Sequence, residues 1–288
     1  KDEIIIPNIT YVATLNAVKL AGAKPIIVDV DLETSTIDSK DLKRKINKRT
    51  KAIIFVHISG RPGNFKNVLS IAKKKKIKVI EDAAEAFGSA LNKKKLGTLG
   101  DFGCFSFTPT KTITAAQGGA IVTKNKNFAN YIRNLKDQGR TKKNIGGDDE
   151  HDIFGGNFKF NDILASILIP QVENINRTLN KSKKINDFYR NNLKNIKGIK
   201  FYKKIKGEIC VWTEIICKKR NNLFNHLLAN NIICRKIWKP LSRLKSTKIK
   251  EKFKNSDQIA KSVMWLPSGS NLSLQELKFI CSKIKQFY

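Results

Sequence analysis

Apolar residues occur in short, nearly unbroken runs separated by stretches of helical spacing. IIIP (Ile4 to Pro7) precedes TYVATLNAVKLAG, where Ala13, Leu15, Ala17 and Leu20 recur at helix-like intervals and Gly22 supplies a stop. PIIVDV (Pro25 to Val30), a Lys-rich helical stretch, AIIFVHI (Ala52 to Ile58), a helix over Asn64 to Lys75 and KVIEDAA (Lys78 to Ala84) follow in turn. GCFSF (Gly103 to Phe107) and GAIVT (Gly119 to Thr123) are two further strand-like runs. Strands apolar on both faces, alternating with helices, predict an α/β unit with a mostly parallel sheet covered by helices. Such sheets take ligands at the carboxyl ends of their strands. The chemistry is therefore expected just after VIED, after FSF and near IIIPNITY.

The pattern changes near Asn161. NDILASILIPQVENINRTLNKSKKINDFYRNNL reads as one long helix bent at Pro170. Beyond it FYKK, ICVWTEIIC, the amphipathic NNLFNHLLANN and SLQELKFICSKIKQF predict a smaller α+β unit. The division expected is 1–175 for the large domain and 176–288 for the small one. KKNIGGDDEHD (Lys142 to Asp152) reads as a polar surface loop.

Composition narrows the function. The 288 residues carry a net charge of +32, which raises nucleic acid as a partner. The positive residues are spread along the whole chain, with no basic arm, zinc finger or aromatic RNA-binding signature, so no nucleic-acid role is expected. A basic surface also helps collect an anionic small substrate. No run reaches the roughly 18 apolar residues of a membrane helix, and no signal peptide is visible. The five cysteines are widely spaced without a CxxC pair, which points to a reducing, cytoplasmic setting rather than a disulfide framework or zinc site. The three histidines form no cluster, so no metal is expected. The chain opens on Lys1, its only methionine is Met264, and a strand-like run follows at once; sequence is expected to be missing upstream.

Two residues carry chemistry on their own evidence. Most lysines lie in clusters such as Lys73 to Lys76, but Lys111 stands alone in DFGCFSFTPTKTITAAQGG. Asp82 ends an apolar strand, where a carboxylate needs a partner, expected to be a cation. Asp82 and Lys111 could share one site, as a structural ion pair or as a functional one. Pyridoxal phosphate uses both groups, a lysine amine for the Schiff base and an acid for the ring nitrogen. The hydroxyls and paired glycines near Lys111 suit a close backbone approach to a phosphate.

PNITYVATLNAVKLAGAKPIIVDVD, VIEDAAEAFGS, FSFTPTKTITAAQGGAIVT and GGNFKFNDILASI resemble, in order and over nearly the whole chain, the DegT/DnrJ/EryC1/StrS family. NIICRKIWKPL and WLPSGSNLS extend the likeness. The resemblance implies the type I (aspartate-aminotransferase-like) fold of pyridoxal-phosphate enzymes and transfer of an amino group to a nucleotide-linked keto sugar. Carried over by motif, Lys111 is the Schiff-base lysine that also moves the proton, and Asp82 is the partner of the ring nitrogen. Glu85 matches the position that meets the cofactor's phenolic oxygen, Tyr11 the aromatic stacked on the ring, and Ser106 a phosphate-binding hydroxyl. Asn157 matches an asparagine reaching the phosphate of the partner subunit, which implies a homodimer with shared active sites. Glutamate is the expected donor. DQGR, GGDDEH and GGNFKFND look most like members that aminate C4 of 4-keto-6-deoxy sugars, as in perosamine synthesis; RKIWKPL and LPSGSNLS look like members acting on UDP-linked 4-keto sugars. GDP and UDP, and C4 and C3, remain open. The implied pathway is surface polysaccharide, O-antigen or glycan-precursor synthesis.

The family's Ser-Gly-Thr segment before the first strand is not in this chain, so weak cofactor binding by the chain alone is expected. Other readings are a sugar-dehydrating relative (in which histidine replaces the lysine), a catalytically silent regulatory homologue, and a basic nucleic-acid-associated protein.

Overall fold

A computed structural model describes residues 1–145 and 147–288. Gly146, within the expected 142–152 loop, lies outside the described residues; around it Lys142 bridges Glu150.

The predicted apolar runs form the large sheet: β1 (Glu3–Pro7), α1 (Val12–Leu20), β2 (Lys24–Val28), α2 (Ser39–Lys45), β3 (Thr50–Val56), α3 (Phe65–Lys75) and β4 (Lys78–Asp82). A small hairpin, β5 (Ala90–Leu91) and β6 (Lys94–Lys95), precedes β7 (Phe102–Ser106) and β8 (Gly119–Val122). The strand order is β2-β1-β3-β4-β7-β8. All neighbours are parallel except β7 and β8, which are antiparallel. The chain winds from β1 out to β2, then returns across β1 to β3. This reversal makes a switch point between β1 and β3, where α/β sheets open a crevice for a ligand. One face of the sheet closes on a core of Ile5, Val28, Ile53, Phe55, Phe65 and Val79.

After α4 (Lys126–Lys136), α5 (Asp162–Glu173) starts on a side-chain cap from Asn161 to Leu164 N–H. The long helix expected to bend at Pro170 is instead two helices. Pro170 lies inside α5, and the break comes at Asn174, before α6 (Ile175–Leu193). Asn174 leaves helical geometry and its side chain donates to the Pro170 carbonyl at 2.9 Å. The same carbonyl accepts the Asn174 backbone N–H at 3.1 Å, so Asn174 closes the helix end with both its main chain and its side chain.

The remaining elements are β9 (Ile199–Lys200), β10 (Thr213–Cys217), α7 (Arg220–Ala229), β11 (Arg235–Lys236), α8 (Lys254–Ser262), β12 (Val263–Leu266) and α9 (Leu274–Phe287). They form a small antiparallel sheet, β11-β12-β10-β9. With α6, α7 and α9 this sheet encloses its own core around Tyr189, Ile215, Leu223, Met264 and Ile284. The small unit returns to the carboxyl ends of the large sheet: Leu241 N–H donates to the Asn8 carbonyl beyond β1. Asn255 and Ser256 N–H donate to Asp29 beyond β2. The small unit therefore borders the switch point. Among the described residues no helix is long and apolar enough to cross a membrane.

Candidate active site

Three chain segments that end large-sheet strands converge here. Beyond β4, Asp82 accepts from Thr14 Oγ1 at 2.9 Å and from Ala84 N–H at 3.2 Å. Thr14 lies in the first turn of α1 and also meets Thr10 at 2.9 Å. The cation expected beside Asp82 is therefore not its partner: a hydroxyl and a peptide N–H hold it. These two donors fix its direction.

Lys111 pairs with Glu85 instead, at 3.6 Å. Its side chain is 14% exposed, and Nζ stands 5.3 Å from the centre of the Trp212 ring. The loop that presents it is closed by several bonds. Lys111 N–H donates to the Thr108 carbonyl, and Ala115 N–H to Phe107. Gln171 of α5 both accepts from Thr114 N–H at 3.0 Å and donates to the Thr114 carbonyl at 2.7 Å. The amine thus hangs from a braced loop.

Glu85 is buried, 4% exposed. Burial pushes its carboxyl up to about 7, against the pull of Lys111 and of the Ser59 N–H; Asp82 and Glu214 add to the rise. The Ser59 N–H reaches Glu85 at 2.8 Å. Ser59 belongs to a tight turn, Ile58–Gly60, that follows β3 with φ of +52° at Ser59 itself.

Tyr11 stands at the head of α1 with 54% of its surface exposed, the nearest aromatic being Trp238 at 6.0 Å. Ser106 ends β7, half-buried, with its hydroxyl 3.1 Å from that of Thr108. Asn157 is exposed on a segment bridged to Asp137, and no hydrogen bond among the described residues ties its side chain to the Lys111 group. The structure thus brings together Lys111 and Glu85, sets Asp82 close enough to act on Glu85, and leaves Asn157 apart. The paired glycines approach their own chain. A Cβ on Gly118 would lie 2.3 Å from the Phe160 ring, and one on Gly119 2.6 Å from the Phe105 carbonyl, so their smallness serves packing of this loop.

Several residues of the group escaped the sequence. Thr14 looks like an ordinary helix residue. Ser59 lies far along the chain from Trp212 and Glu214, which share one short segment. The available signal was the charge inside apolar strands. Glu81 in VIED is fully buried, with His57 at 2.9 Å and the N–H groups of Gly97, Leu99 and Gly100 all donating to it. Glu214 in WTEIIC is likewise buried.

The donor set fits pyridoxal phosphate: a braced amine, an oriented carboxylate, an exposed aromatic ring and hydroxyls at neighbouring strand ends. Comparison with known proteins agrees. Residues 1–285 match the DegT/DnrJ/EryC1/StrS aminotransferase family. The chain is 34% identical to GDP-perosamine synthase of Escherichia coli O157:H7, covering 100% of this chain and 79% of that one. It is 30% identical to UDP-4-amino-4,6-dideoxy-N-acetyl-beta-L-altrosamine transaminase of Campylobacter jejuni, covering 97% of this chain and 78% of the other. A sugar aminotransferase structure from Streptococcus pneumoniae, described as in its PMP form, superposes with a TM-score of 0.94 at 23% identity. That match covers 99% of this chain and 81% of that one and speaks to the fold alone. From the match over almost its full length and the shared architecture, the chain belongs to the DegT/DnrJ/EryC1/StrS family of sugar aminotransferases.

Proposed function

We propose that this protein transfers an amino group from an amino acid, glutamate in our reading, to a nucleotide-linked 4-keto-6-deoxy sugar, with Lys111 as the reactive amine. The observation that carries this is Lys111 itself, braced at the mouth of the sheet, 14% exposed and 3.6 Å from a buried carboxylate. Bound pyridoxal phosphate supplies the carbonyl that accepts the amino group and a ring that withdraws electrons. The protein supplies position and protons. Asp82, fixed by Thr14 and Ala84, would hold a proton on the ring nitrogen. Tyr11 offers an exposed face for the ring, and Ser106 a hydroxyl for the phosphate. Lys111 is the group that takes and returns the proton at the reacting carbon; Glu85 beside it can carry a negative charge or be neutral near pH 7.

The GDP-linked sugar is our first choice, on the likeness to GDP-perosamine synthase; the similarity to the UDP-sugar enzyme makes that substrate the second to assay. Polysaccharide-precursor synthesis in the cytoplasm is the setting this implies. A homodimer is part of the same reading. Phe154, Phe158, Ile163 and Ile169 are exposed apolar residues around Asn157 and along α5, a face suited to a second copy that would carry Asn157 to its neighbour's phosphate.

The test is trapping. The chain is incubated with low pyridoxal phosphate, reduced with borohydride and mapped by peptide mass spectrometry. A dominant adduct on Lys111, lost in Lys111→Ala, is the expected result. Scattered labelling of surface lysines, repeated with a longer form of the chain, would overturn the reading.

A further inference from the structure

The Ile58–Gly60 turn touches both halves of the molecule. On one side the Ser59 N–H donates to Glu85 at 2.8 Å. On the other the Ser59 hydroxyl donates to Glu214 of β10 at 2.8 Å. Glu214 is no isolated acceptor. It also takes a hydrogen bond from Arg61 at 2.5 Å and one from Trp265 at 2.8 Å. Arg61 is buried, stacked 4.2 Å over the Tyr202 ring, bonded to the Thr34 carbonyl and 3.7 Å from Glu208. Burial works against its charge, but Glu214 and Glu208 outweigh burial and hold the guanidinium protonated.

The turn is gripped as well as bonded. Gly60 has φ of +86°, and a Cβ there would stand 2.2 Å from the Ile209 carbonyl and 3.1 Å from that of Glu85. Ser59, at φ +52°, holds a left-handed conformation that an ordinary residue adopts only when its surroundings enforce it. Here the contacts on the turn come from the small unit through Glu214 and Ile209 and from the large unit through Glu85 and Ser89.

We propose that Ser59 is a positioning residue that carries the docking of the small unit, through Glu214 and Arg61, to Glu85 and thence to the Lys111 amine paired with it. This rests on the reading of Lys111 as the reactive group. The chain of contacts is Arg61 to Glu214, Glu214 to the Ser59 hydroxyl, the Ser59 N–H to Glu85, and Glu85 to Lys111. The charged groups acting on Glu85 are Lys111 from the loop after β7, Asp82 at the end of β4 and Glu214 from β10. An ionised Glu85 holds the neighbouring amine in the pair at 3.6 Å and restrains its attack on a reagent. A neutral Glu85 releases that restraint. With the Ser59 peptide well aimed, the N–H stabilises the ionised form; with the turn loosened, the carboxyl stays protonated to higher pH.

The two links make predictions of opposite sign. Ser59→Gly removes the hydroxyl without a backbone penalty, since glycine adopts positive φ freely. It frees the N–H from its anchor, so the Glu85 transition moves to higher pH. Glu214→Gln keeps an acceptor for Ser59 but removes a negative charge, so the transition moves to lower pH. General loosening of the fold would move both in the same direction.

The readout is acetylation of Lys111 by acetic anhydride in the cofactor-free protein from pH 5.5 to 9. Its rate is taken relative to Lys73 to Lys76 in the same digest. In the native chain we expect the relative rate to fall several-fold through a midpoint near neutral pH, and to show no such step in Glu85→Gln. Ser59→Gly should raise the midpoint by about half a pH unit, and Glu214→Gln should lower it. An unchanged midpoint in Ser59→Gly, or no step in the native chain, would overturn the proposal. If Glu214→Gln fails to fold, the Ser59→Gly and Glu85→Gln comparison decides alone. A Lys111 adduct with pyridoxal phosphate alongside an unmoved Ser59→Gly midpoint would retain the aminotransferase reading and remove only this one.

Discussion

Glu85 is neutral when protonated and a buried negative charge when ionised, and only the second state is costly. Its folded carboxyl titrates near 7, raised chiefly by burial, whereas an unfolded glutamate titrates near 4.3. The folded state therefore binds the extra proton, and stability is lost as pH rises from about 4.5 through about 7. Glu85→Gln cannot ionise. Its stability relative to the native chain should climb over that interval and level off above pH 8, by up to about 3 kcal/mol. Parallel urea titrations at pH 5 and pH 8.5 measure it; an equal difference at the two pH values would contradict the assignment. Lys111 was legible in the sequence because it stands apart from the lysine clusters. Its partner was not, because nothing local to VIEDAAEA distinguishes a carboxylate held by a hydroxyl from one held by an amine.

At the scale of elements, the large-sheet strands were legible because burial on both faces leaves continuous apolar runs. The antiparallel β8 was readable as a strand but not in its direction, which depends on the closed loop between Phe107 and Gly118. Proline at 170 suggested a bend, yet a proline removes one hydrogen bond and α5 absorbs the loss; the chain breaks where Asn174 caps it. The Arg61–Glu214 pair joins residues 153 positions apart, which no local pattern reveals. Arg61→Met should leave Glu214 buried with its charge uncompensated and cost about 3–5 kcal/mol, read as a lower midpoint in chemical denaturation. A milder test sits at α9, where Ser273 and Glu276 form a reciprocal cap. Ser273→Ala should cost about 1 kcal/mol.

For the molecule as a whole, the net charge of +32 shapes how an anionic substrate arrives. Opposite charge speeds encounter and salt screens it. For a nucleoside diphosphate sugar, kcat/KM should fall steeply between 20 and 300 mM salt (about 22 to about 6 Å of Debye length), with kcat little changed. A salt-independent kcat/KM would show that the surface charge takes no part in capture. The small unit's return to the carboxyl ends of β1 and β2 also assembles all three tryptophans of the chain in one place. Trp212 and Trp238 lie 4.8 and 4.9 Å from Trp265 between ring centres, Trp212 faces Lys111, and Trp238 faces Tyr11. Tryptophan emission therefore comes from a single location. Excited beyond the tyrosine band, the protein carries a lamp hung at the seam, and a chromophore bound beside Lys111 would dim it.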